Sequence, residues 1–402
     1  MTTRVLFLTF YYPPDLSAGS FRSEALVSAL LAELGENIEI EVVTTCPNRY
    51  HTYTPGTAAS GTSNQVKIQR IKIPAHHSGL KDQSLAFGYF AWHALRLTRG
   101  RQYDIVFATS SRLMTGTLGA LIAKRERCLL YLDIRDIFVD TLKGIFKSHW
   151  GRVIYKLFIP IERWTIRQAT SVNLVSPGFL GYFNRRYPHK QFSLHTNGVD
   201  EIFIKTNSGA YSQLNLQSTA TLKVIYAGNI GQGQGLHLIL PELANRLHTR
   251  VEFHLIGDGG GLLQLRNELN RHNVKNVHIH KPMNRARLLQ AYDEADILFL
   301  HLNSIKALRR VLPSKIFEYA ATDKPIWGGL SGYAREFAQS HIKNIGLFDP
   351  CDIDQAVKAL DMLSFQPTSR KDFIASHSRR SIKKRMAKDV LHLSSKYRAR
   401  NE

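Results

Sequence analysis

The composition describes a globular chain: 402 residues, 44% hydrophobic and 21% charged, are enough for two ordinary domains and exclude an intrinsically disordered protein. The formal net charge of +21 favours polyanionic partners, namely nucleic acid, an anionic membrane surface or phosphorylated substrates. No nucleic-acid reader motif stands out, so we predict no nucleic-acid partner.

The apolar runs and the cysteines predict the compartment. The longest apolar runs, such as residues 85–95, are too short to cross a bilayer, and the first residues lead into a predicted strand without the features of a signal peptide. The cysteines are odd in number and fit no metal-binding spacing; they are Cys46, Cys128 and Cys351. We therefore expect a protein of the reducing cytoplasm.

Short β-rich runs alternate with helical patterns in the first half of the chain. The predicted strands are residues 5–10, 38–44, 67–73, 105–108, 128–132 and 171–175. Apolar residues recur at helical spacing over residues 21–34, and residues 47–64 have the composition of a loop. This alternation predicts right-handed βαβ crossovers and a parallel sheet covered on both faces.

Two segments of the first half combine apolar or aromatic residues with basic ones. Residues 142–161 have an apolar stripe at helical spacing, with Lys143, Lys147, Arg152 and Lys156 mostly off it. The second segment comprises Phe87, Tyr89, Phe90 and Trp92, followed by Arg96, Arg99 and Arg101. Two interpretations stand for both: a stripe that packs on the core, which is the commoner case, or a face that lies in a membrane interface.

The second half repeats the alternation. Its predicted strands are residues 223–227, 252–257, 277–280, 297–301 and 325–327, separated by helices over 236–247, 262–273 and 285–295. Residues 205–221 are polar and predict a linker. We therefore predict an N-terminal domain over 1–204, this linker, a C-terminal domain over 222–375, and a final segment over 376–402 with a helix near 382–393.

Two glycine-rich loops follow predicted strands and precede predicted helices in the second half. Residues 228–235 read GNIGQGQG and residues 257–261 read GDGGG. Such loops let backbone N–H groups approach a phosphate, although glycines also serve turns that bind nothing. The spacing matches neither the Rossmann fingerprint nor a P-loop.

A Lys and a Glu open the helix predicted after Pro313. Lys315 and Glu318 are three residues apart, so they share one face of that helix. Ser314 and Pro313 are typical of a helix N-terminus, which attracts phosphate. Glu318 could then accept hydrogen bonds from ribose hydroxyls, whereas the plainer interpretation is a capped helix with a solvated ion pair.

These motifs resemble those of the family 4 glycosyltransferases of the GT-B fold, in particular the enzymes that build bacterial surface polysaccharides such as O-antigen and capsule. The resemblance covers nearly the whole chain, and its motifs are FYYPP from Phe10, with Gly19 and Arg22, DIRD from Asp133, NGVD from Asn197, YAGNIG from Tyr226, LIGDG from Leu255 and PSKIFEY from Pro313.

The resemblance implies an α/β GT-B fold, with two doubly wound Rossmann-like domains facing a central cleft. It also implies retaining transfer of a sugar from a nucleotide donor, usually linked to UDP, held by the C-terminal domain. The donor-binding residues implied are Gly228, Asn229, Gly231, Gln234, Gly235, Gly257, Met283, Arg309, Arg310, Ser314, Lys315 and Glu318. No Asp-x-Asp triplet stands nearby, so we expect no essential metal or other cofactor.

The N-terminal domain is expected to hold the acceptor, and the resemblance implies that the C-terminal helix of residues 376–402 returns toward this domain. The resemblance implies Asp136, Asp133 and Arg135 as catalytic candidates, where Arg135 replaces the His common in relatives. Gly19 and Arg22 are expected in a loop near the cleft. Arg310 replaces a second Glu found in many relatives, and the first loop of the C-terminal domain offers Asn229 and Gln234 where many relatives have Arg and Lys. These two differences leave the phosphate-binding Arg open.

The partners expected are a nucleotide-sugar, a saccharide acceptor linked to polyprenyl diphosphate, and the anionic inner face of the cytoplasmic membrane. Two alternatives stay open at this point. One is a UDP-sugar 2-epimerase of the same fold, and the other is a polyanion-binding protein that has lost the chemistry. The sequence does not identify the donor sugar, the acceptor linkage or the oligomeric state.

Overall fold

The computed structural model describes residues 2–48, 65–74, 80–110, 113–140, 149–204 and 221–401, and the chain forms two compact units. The first unit extends to Asn197 and includes the residues from Arg380 onward, and the second is Gly198–Arg379. Each unit has one six-stranded sheet covered by helices. The predicted α/β fold is therefore confirmed.

The first unit has sheet order β3-β2-β1-β4-β5-β6, and all neighbouring strands are parallel. Its strands β1 and β4–β5 are almost continuously buried, as both faces of the sheet are covered. The strands are β1 (Thr3–Leu8), β2 (Ile38–Thr45), β3 (Val66–Ile71), β4 (Ile105–Ser110), β5 (Leu129–Ile134) and β6 (Ser171–Leu174). The helices are α1 (Ala18–Leu34), α2 (Leu80–Leu97), α3 (Leu113–Glu126), α4 (His149–Gln168) and α5 (Leu180–Arg186).

The second unit has sheet order β12-β11-β10-β7-β8-β9, again with parallel neighbours. The strands are β7 (Leu222–Asn229), β8 (Val251–Asp258), β9 (Val277–His280), β10 (Ile297–His301), β11 (Ile326–Gly329) and β12 (Ile345–Phe348). The helices are α6 (Glu201–Ile204), α7 (Leu236–Arg246), α8 (Leu262–Arg271), α9 (Arg285–Asp293), α10 (Lys315–Ala320), α11 (Tyr333–His341), α12 (Ile353–Asp361) and α13 (Lys371–Ser376).

Both sheets reverse their strand order beside their first strand, between β1 and β4 and between β7 and β10. In doubly wound sheets, ligands bind at this switch point, beyond the carboxyl ends of the strands. In the second unit this point lies between the glycine loop after β7 and the residues that follow His301. The sheet order therefore selects the place where a ligand site is expected.

The predicted strands β9 and β10 have the expected bounds, most other predicted elements have shifted ends, and one strand was not predicted. That strand, β12, has four residues and includes Gly346. Helix α4 contains Pro160 and extends past the predicted end at residue 161, while residues 142–148 of the prediction lie outside the described residues. Leu157, which belongs to the predicted apolar stripe, is exposed. Among the described residues no helix is both long and apolar enough to span a membrane.

The division between the units falls at Gly198, earlier than the predicted domain end at residue 204. The Val199 N–H donates to the carbonyl oxygen of His377 at 2.7 Å, and Phe203 is buried in the core of the second unit. These contacts attach residues 198–204 to the second unit. The predicted linker lies outside the described residues, except for residue 221.

A C-terminal helix, α14 (Arg379–Asn401), completes the first unit. Met386, Ala387 and Val390 are fully buried in the core that α1 forms with the first sheet. This helix includes the helix predicted near residues 382–393.

Candidate active site

The glycine loop after β7 begins where two strands approach closely. Gly228 has φ +157°, and a Cβ at Gly257 would collide with the carbonyl oxygen of Gly228. Gly235 has φ +63° and caps α7, a left-handed conformation that favours glycine. These three glycines, all predicted as donor-binding, give the loop its path.

Side chains inside the loop brace it. Asn229 Nδ2 donates to Gln234 Oε1 at 3.0 Å, and the Gly231 N–H donates to the same oxygen at 3.2 Å. The Tyr226 hydroxyl donates to the carbonyl oxygen of Asn229 at 2.6 Å. Asn229 and Gln234, predicted to bind the donor, therefore hold the loop in shape.

The end of strand β10 and the residues after it hold the same loop from the other side of the switch point. His301 Nδ1–H donates to the carbonyl oxygen of Gln234 at 2.6 Å, and its Nε2 accepts from the Cys351 N–H at 3.1 Å. Asn303 donates from its side chain to the carbonyl oxygen of Gln232 and from its backbone to that of Gly233, both at 2.9 Å. Three successive loop carbonyls are thus fixed.

His301 is a neutral histidine. Burial lowers its pKa to about 4, although the hydrogen bond to the carbonyl oxygen of Gln234 acts in the opposite direction. The acceptor role of Nε2 toward Cys351 requires the tautomer with its proton on Nδ1. Neither His301 nor Asn303 was predicted, because a His that ends a buried strand resembles an ordinary core residue. The available signal was a polar residue at the end of a strand, His301, and a second one two residues later, Asn303.

The predicted Lys–Glu pair lies beside the start of the glycine loop. Lys315 Nζ donates to Glu318 Oε2 at 2.6 Å and to the Tyr292 hydroxyl at 3.1 Å. Glu318 is buried, and a Cβ at Gly228 would lie 3.7 Å from Lys315 Cε. The Lys–Glu pair and the start of the glycine loop are therefore neighbours, and Tyr292, which was not predicted, contacts Lys315.

The backbone at the start of α10 differs from the predicted phosphate-binding N-terminus. The helix has only six residues, and Ser314 makes no side-chain capping bond. The Ile316 N–H donates to the carbonyl oxygen of Pro313 at 3.2 Å, and the Phe317 N–H to that of Ser314 at 3.1 Å. These two N–H groups are therefore already hydrogen-bonded within the turn. The positive charge beside the glycine loop comes from the ammonium group of Lys315.

Three predicted donor residues, Arg309, Arg310 and Met283, remain to be placed. Arg309 is exposed and Arg310 half-buried in the short 3-10 turn Lys306–Arg310. A Cβ at Gly233 would lie 3.8 Å from Leu308 Cδ1, so the turn adjoins the glycine loop. Met283 is half-buried against the core of the second unit.

In the first unit, Asp133 forms a buried ion pair with Arg22. Arg22 Nε and Nη2 donate to the two carboxylate oxygens, each at 2.7 Å, and Asn173 Nδ2 adds a third bond at 2.7 Å. Burial alone would raise the pKa of Asp133, but the guanidinium outweighs it and holds that pKa at about 2.

This geometry argues against two expectations: that Asp133 acts as a catalytic base, and that Arg22 lies in a loop, since Arg22 belongs to α1. A buried carboxylate with a pKa of about 2 and both oxygens bonded is a poor base, so Asp133 is a structural residue. Arg22 is also buried, and it donates to the backbone carbonyls of His195 and Thr196 at 2.8 and 2.7 Å. Arg22 therefore joins α1 to β5 and to residues 195–196.

The other N-terminal candidates lie at the end of β5. Asp136 is exposed and Arg135 half-buried. A Cβ at Gly19 would collide with Nη1 of Arg135, so glycine at the start of α1 makes room for that guanidinium. Gly19, Arg135 and Asp136 thus occupy one edge of the first sheet, and Asp136 is the carboxylate that a substrate could reach.

Two family models match the chain over most of its length. Residues 23–193 match the description "Glycosyl transferase 4-like domain", and residues 212–380 match "Glycosyl transferases group 1". Together with the two doubly wound units, they define a glycosyltransferase of the GT-B fold. The chain belongs to the family 4 glycosyltransferases.

Known proteins are similar to this chain in sequence or in fold. The Escherichia coli K12 protein WcaI, whose name describes a glycosyl transferase of colanic acid biosynthesis, is 25% identical over 271 residues. The match covers 61% of this chain and 62% of that protein. Sucrose-phosphate synthase of Thermosynechococcus elongatus has TM-score 0.65 and 13% identity over 99% of both chains. HepE of Anabaena, solved with UDP-glucose, has TM-score 0.58 and 14% identity over 98% of this chain and 97% of that one.

Proposed function

We propose that the protein transfers a sugar from a UDP-sugar, with retention at the anomeric carbon, to a lipid-linked saccharide in surface polysaccharide biosynthesis. The observation that carries this proposal is the Lys315–Glu318 pair beside Gly228, at the switch point of the second sheet. The UDP-glucose bound by HepE supports the donor class, and the name of WcaI supports the polysaccharide.

The donor site needs one cation and one acceptor of hydroxyl hydrogen bonds. The Glu318 carboxylate would accept hydrogen bonds from the ribose hydroxyls. The Lys315 ammonium, which donates to Glu318, would also donate to an oxygen of the diphosphate. The base would lie near Gly257 and Met283. When the bond from the sugar to UDP breaks, the departing diphosphate gains negative charge, which the Lys315 ammonium stabilises.

The absence of an essential metal ion stays a prediction. The described residues contain no group of three or more His, Cys, Asp or Glu side chains arranged to hold a metal ion. We expect Lys315, with Arg309 or Arg310, to supply the positive charge that a divalent cation supplies elsewhere. Transfer in the presence of a chelator tests this directly.

The acceptor is proposed to be a saccharide on polyprenyl diphosphate, at the inner face of the cytoplasmic membrane. The net charge of +21 supports an anionic substrate on an anionic surface. Asp136 would orient or deprotonate the acceptor hydroxyl, because it is the exposed carboxylate at the end of β5.

A thermal-shift screen tests the donor assignment. The protein is melted with UDP, GDP, ADP, CMP or dTDP, first without metal and then with Mg²⁺. A ligand at one hundred times its dissociation constant stabilises the folded state by about 2.7 kcal/mol, which is easily detected. A metal-independent shift with UDP supports the proposal, and no shift with any nucleotide refutes it.

Donor turnover separates transfer from epimerisation. A 2-epimerase converts a soluble UDP-sugar alone, whereas a transferase releases UDP in proportion to the acceptor supplied. Conversion of a UDP-sugar to its 2-epimer in the absence of acceptor would therefore contradict the proposed transfer.

A further inference from the structure

Helix α2 buries one face and exposes a second face that is apolar. Phe90, Ala86 and Ala94 are fully or almost fully buried, and the centres of the Phe90 and Phe10 rings are 5.3 Å apart. On the opposite side Leu85 is 72% exposed and Trp92 is 53% exposed. The helix therefore fulfils its packing role without these outer side chains.

The exposed residues form one stripe. Leu85, Tyr89 and Trp92 are spaced by four and three residues, which places them on a single face over about 10 Å of helix. Scattered exposed apolar residues are common, but three consecutive members of one helical face, two of them aromatic, are not explained by the fold. We name these three residues the apolar stripe of α2.

Positive charge continues the stripe. The Arg96 guanidinium lies 5.0 Å from the centre of the Trp92 ring, and exposed Arg99 follows one turn later. No acidic residue occurs from Gln83 to Tyr103. A partner for this face must therefore accept aromatic and aliphatic side chains and present negative charge beside them.

The neighbouring helix α3 also exposes an apolar and a basic side chain, while its Arg125 is paired with Glu126. Arg125 of α3 donates to the carbonyl oxygen of Leu95 and to the Thr98 hydroxyl, both at 2.9 Å, so α2 and α3 pack side by side. Helix α3 exposes Leu121 and Lys124. Apolar and basic side chains thus occur together on two adjacent helices of the first unit.

We propose that the apolar stripe of α2 enters the interfacial region of an anionic phospholipid bilayer, with Arg96 and Arg99 at the phosphates. Trp and Tyr favour the boundary between headgroups and acyl chains, and Arg reaches phosphates while its stem covers apolar surface. A stripe three side chains long suits shallow insertion better than a protein interface, which needs about 800 Å² from each partner. This inference rests on the proposed lipid-linked acceptor and assigns the surface that meets its membrane.

Vesicle flotation of the full chain tests the proposal. Phosphatidylcholine vesicles are compared with vesicles that also contain phosphatidylglycerol, and we expect binding to the anionic vesicles that weakens as salt rises. Leu85→Gln should lower the partition coefficient about tenfold. Leu263→Gln is the matched control, since Leu263 is also 72% exposed but lies in the second unit.

A charge variant provides a second arm. Arg96→Gln together with Arg99→Gln should weaken binding to anionic vesicles about tenfold or more and flatten the salt dependence. Equal loss in the Leu85 and Leu263 variants, undiminished binding of the arginine variant, or no flotation of the wild-type chain would each overturn the proposal. Nucleotide binding, measured in the same preparations, reports on the donor site separately, so a failed docking surface and a failed transferase assignment give different results.

Discussion

Replacing His301 by Leu should destabilise the second unit and disturb its glycine loop. The substitution removes the bond from Nδ1–H to the carbonyl oxygen of Gln234 and the acceptor for the Cys351 N–H. His301 is fully buried. Two groups thus lose their partners, and at about 1–3 kcal/mol each the free energy of unfolding should fall by about 2–6 kcal/mol.

Urea unfolding followed by circular dichroism measures the loss in the free energy of unfolding. Titration calorimetry with UDP measures the affinity for UDP, which should fall when the glycine loop is disturbed. His301→Asn is the matched variant, because its amide nitrogen can replace Nδ1 as donor while the acceptor for Cys351 is lost. We expect the Asn variant to retain about half of the lost stability and to bind UDP more tightly than the Leu variant. A Leu variant with wild-type stability and wild-type UDP affinity would refute the argument.

The pKa of His301 makes a further prediction about acid stability. The folded chain holds this pKa at about 4, whereas an ordinary histidine titrates near 6.5. Because the unfolded chain binds the proton first, stability should decrease as the pH falls from about 6.5 to 4, by about 3 kcal/mol in total. Glu318→Ala should lower kcat/KM roughly a thousandfold with an unchanged fold, because it removes the acceptor of the hydrogen bonds from two ribose hydroxyls, worth about 1.5–3 kcal/mol each. Near-normal turnover would count against the donor site. Arg22→Leu should cost the first unit about 3–5 kcal/mol by leaving Asp133 charged and buried, and calorimetry would show no such loss if the pair were unimportant. Asp136→Asn should reduce kcat about a hundredfold or more with UDP affinity intact, and unchanged kcat would exclude Asp136 as the base.

The sequence predicted the repeated strand–helix alternation and the Lys315–Glu318 pair because both depend on local signals. Strands buried on both faces are short and apolar, and Lys315 and Glu318 are close along the chain. The four-residue strand β12 escaped prediction because Gly346 interrupts a run that is already short. Ends of elements shifted by a few residues, as in β1.

The features that the sequence did not indicate depend on contacts between distant residues. Asp133 lies in the same DIRD motif as Asp136, but only the fold brings Arg22 onto its carboxylate. The pairing of His301 with the glycine loop likewise joins β10 to the loop after β7. Alternation of apolar residues gives the face of a strand, but it does not identify the side chain that lies opposite.

The position of α14 has a consequence for synthesis of the protein on the ribosome. Met386, Ala387 and Val390 fill the core of the first unit, yet they follow the whole of the second unit in the chain. The second unit, Gly198–Arg379, can therefore complete its core before the first unit closes its own. During translation, the apolar surface of the first unit that α14 later covers therefore stays uncovered until the last residues of the chain are synthesised.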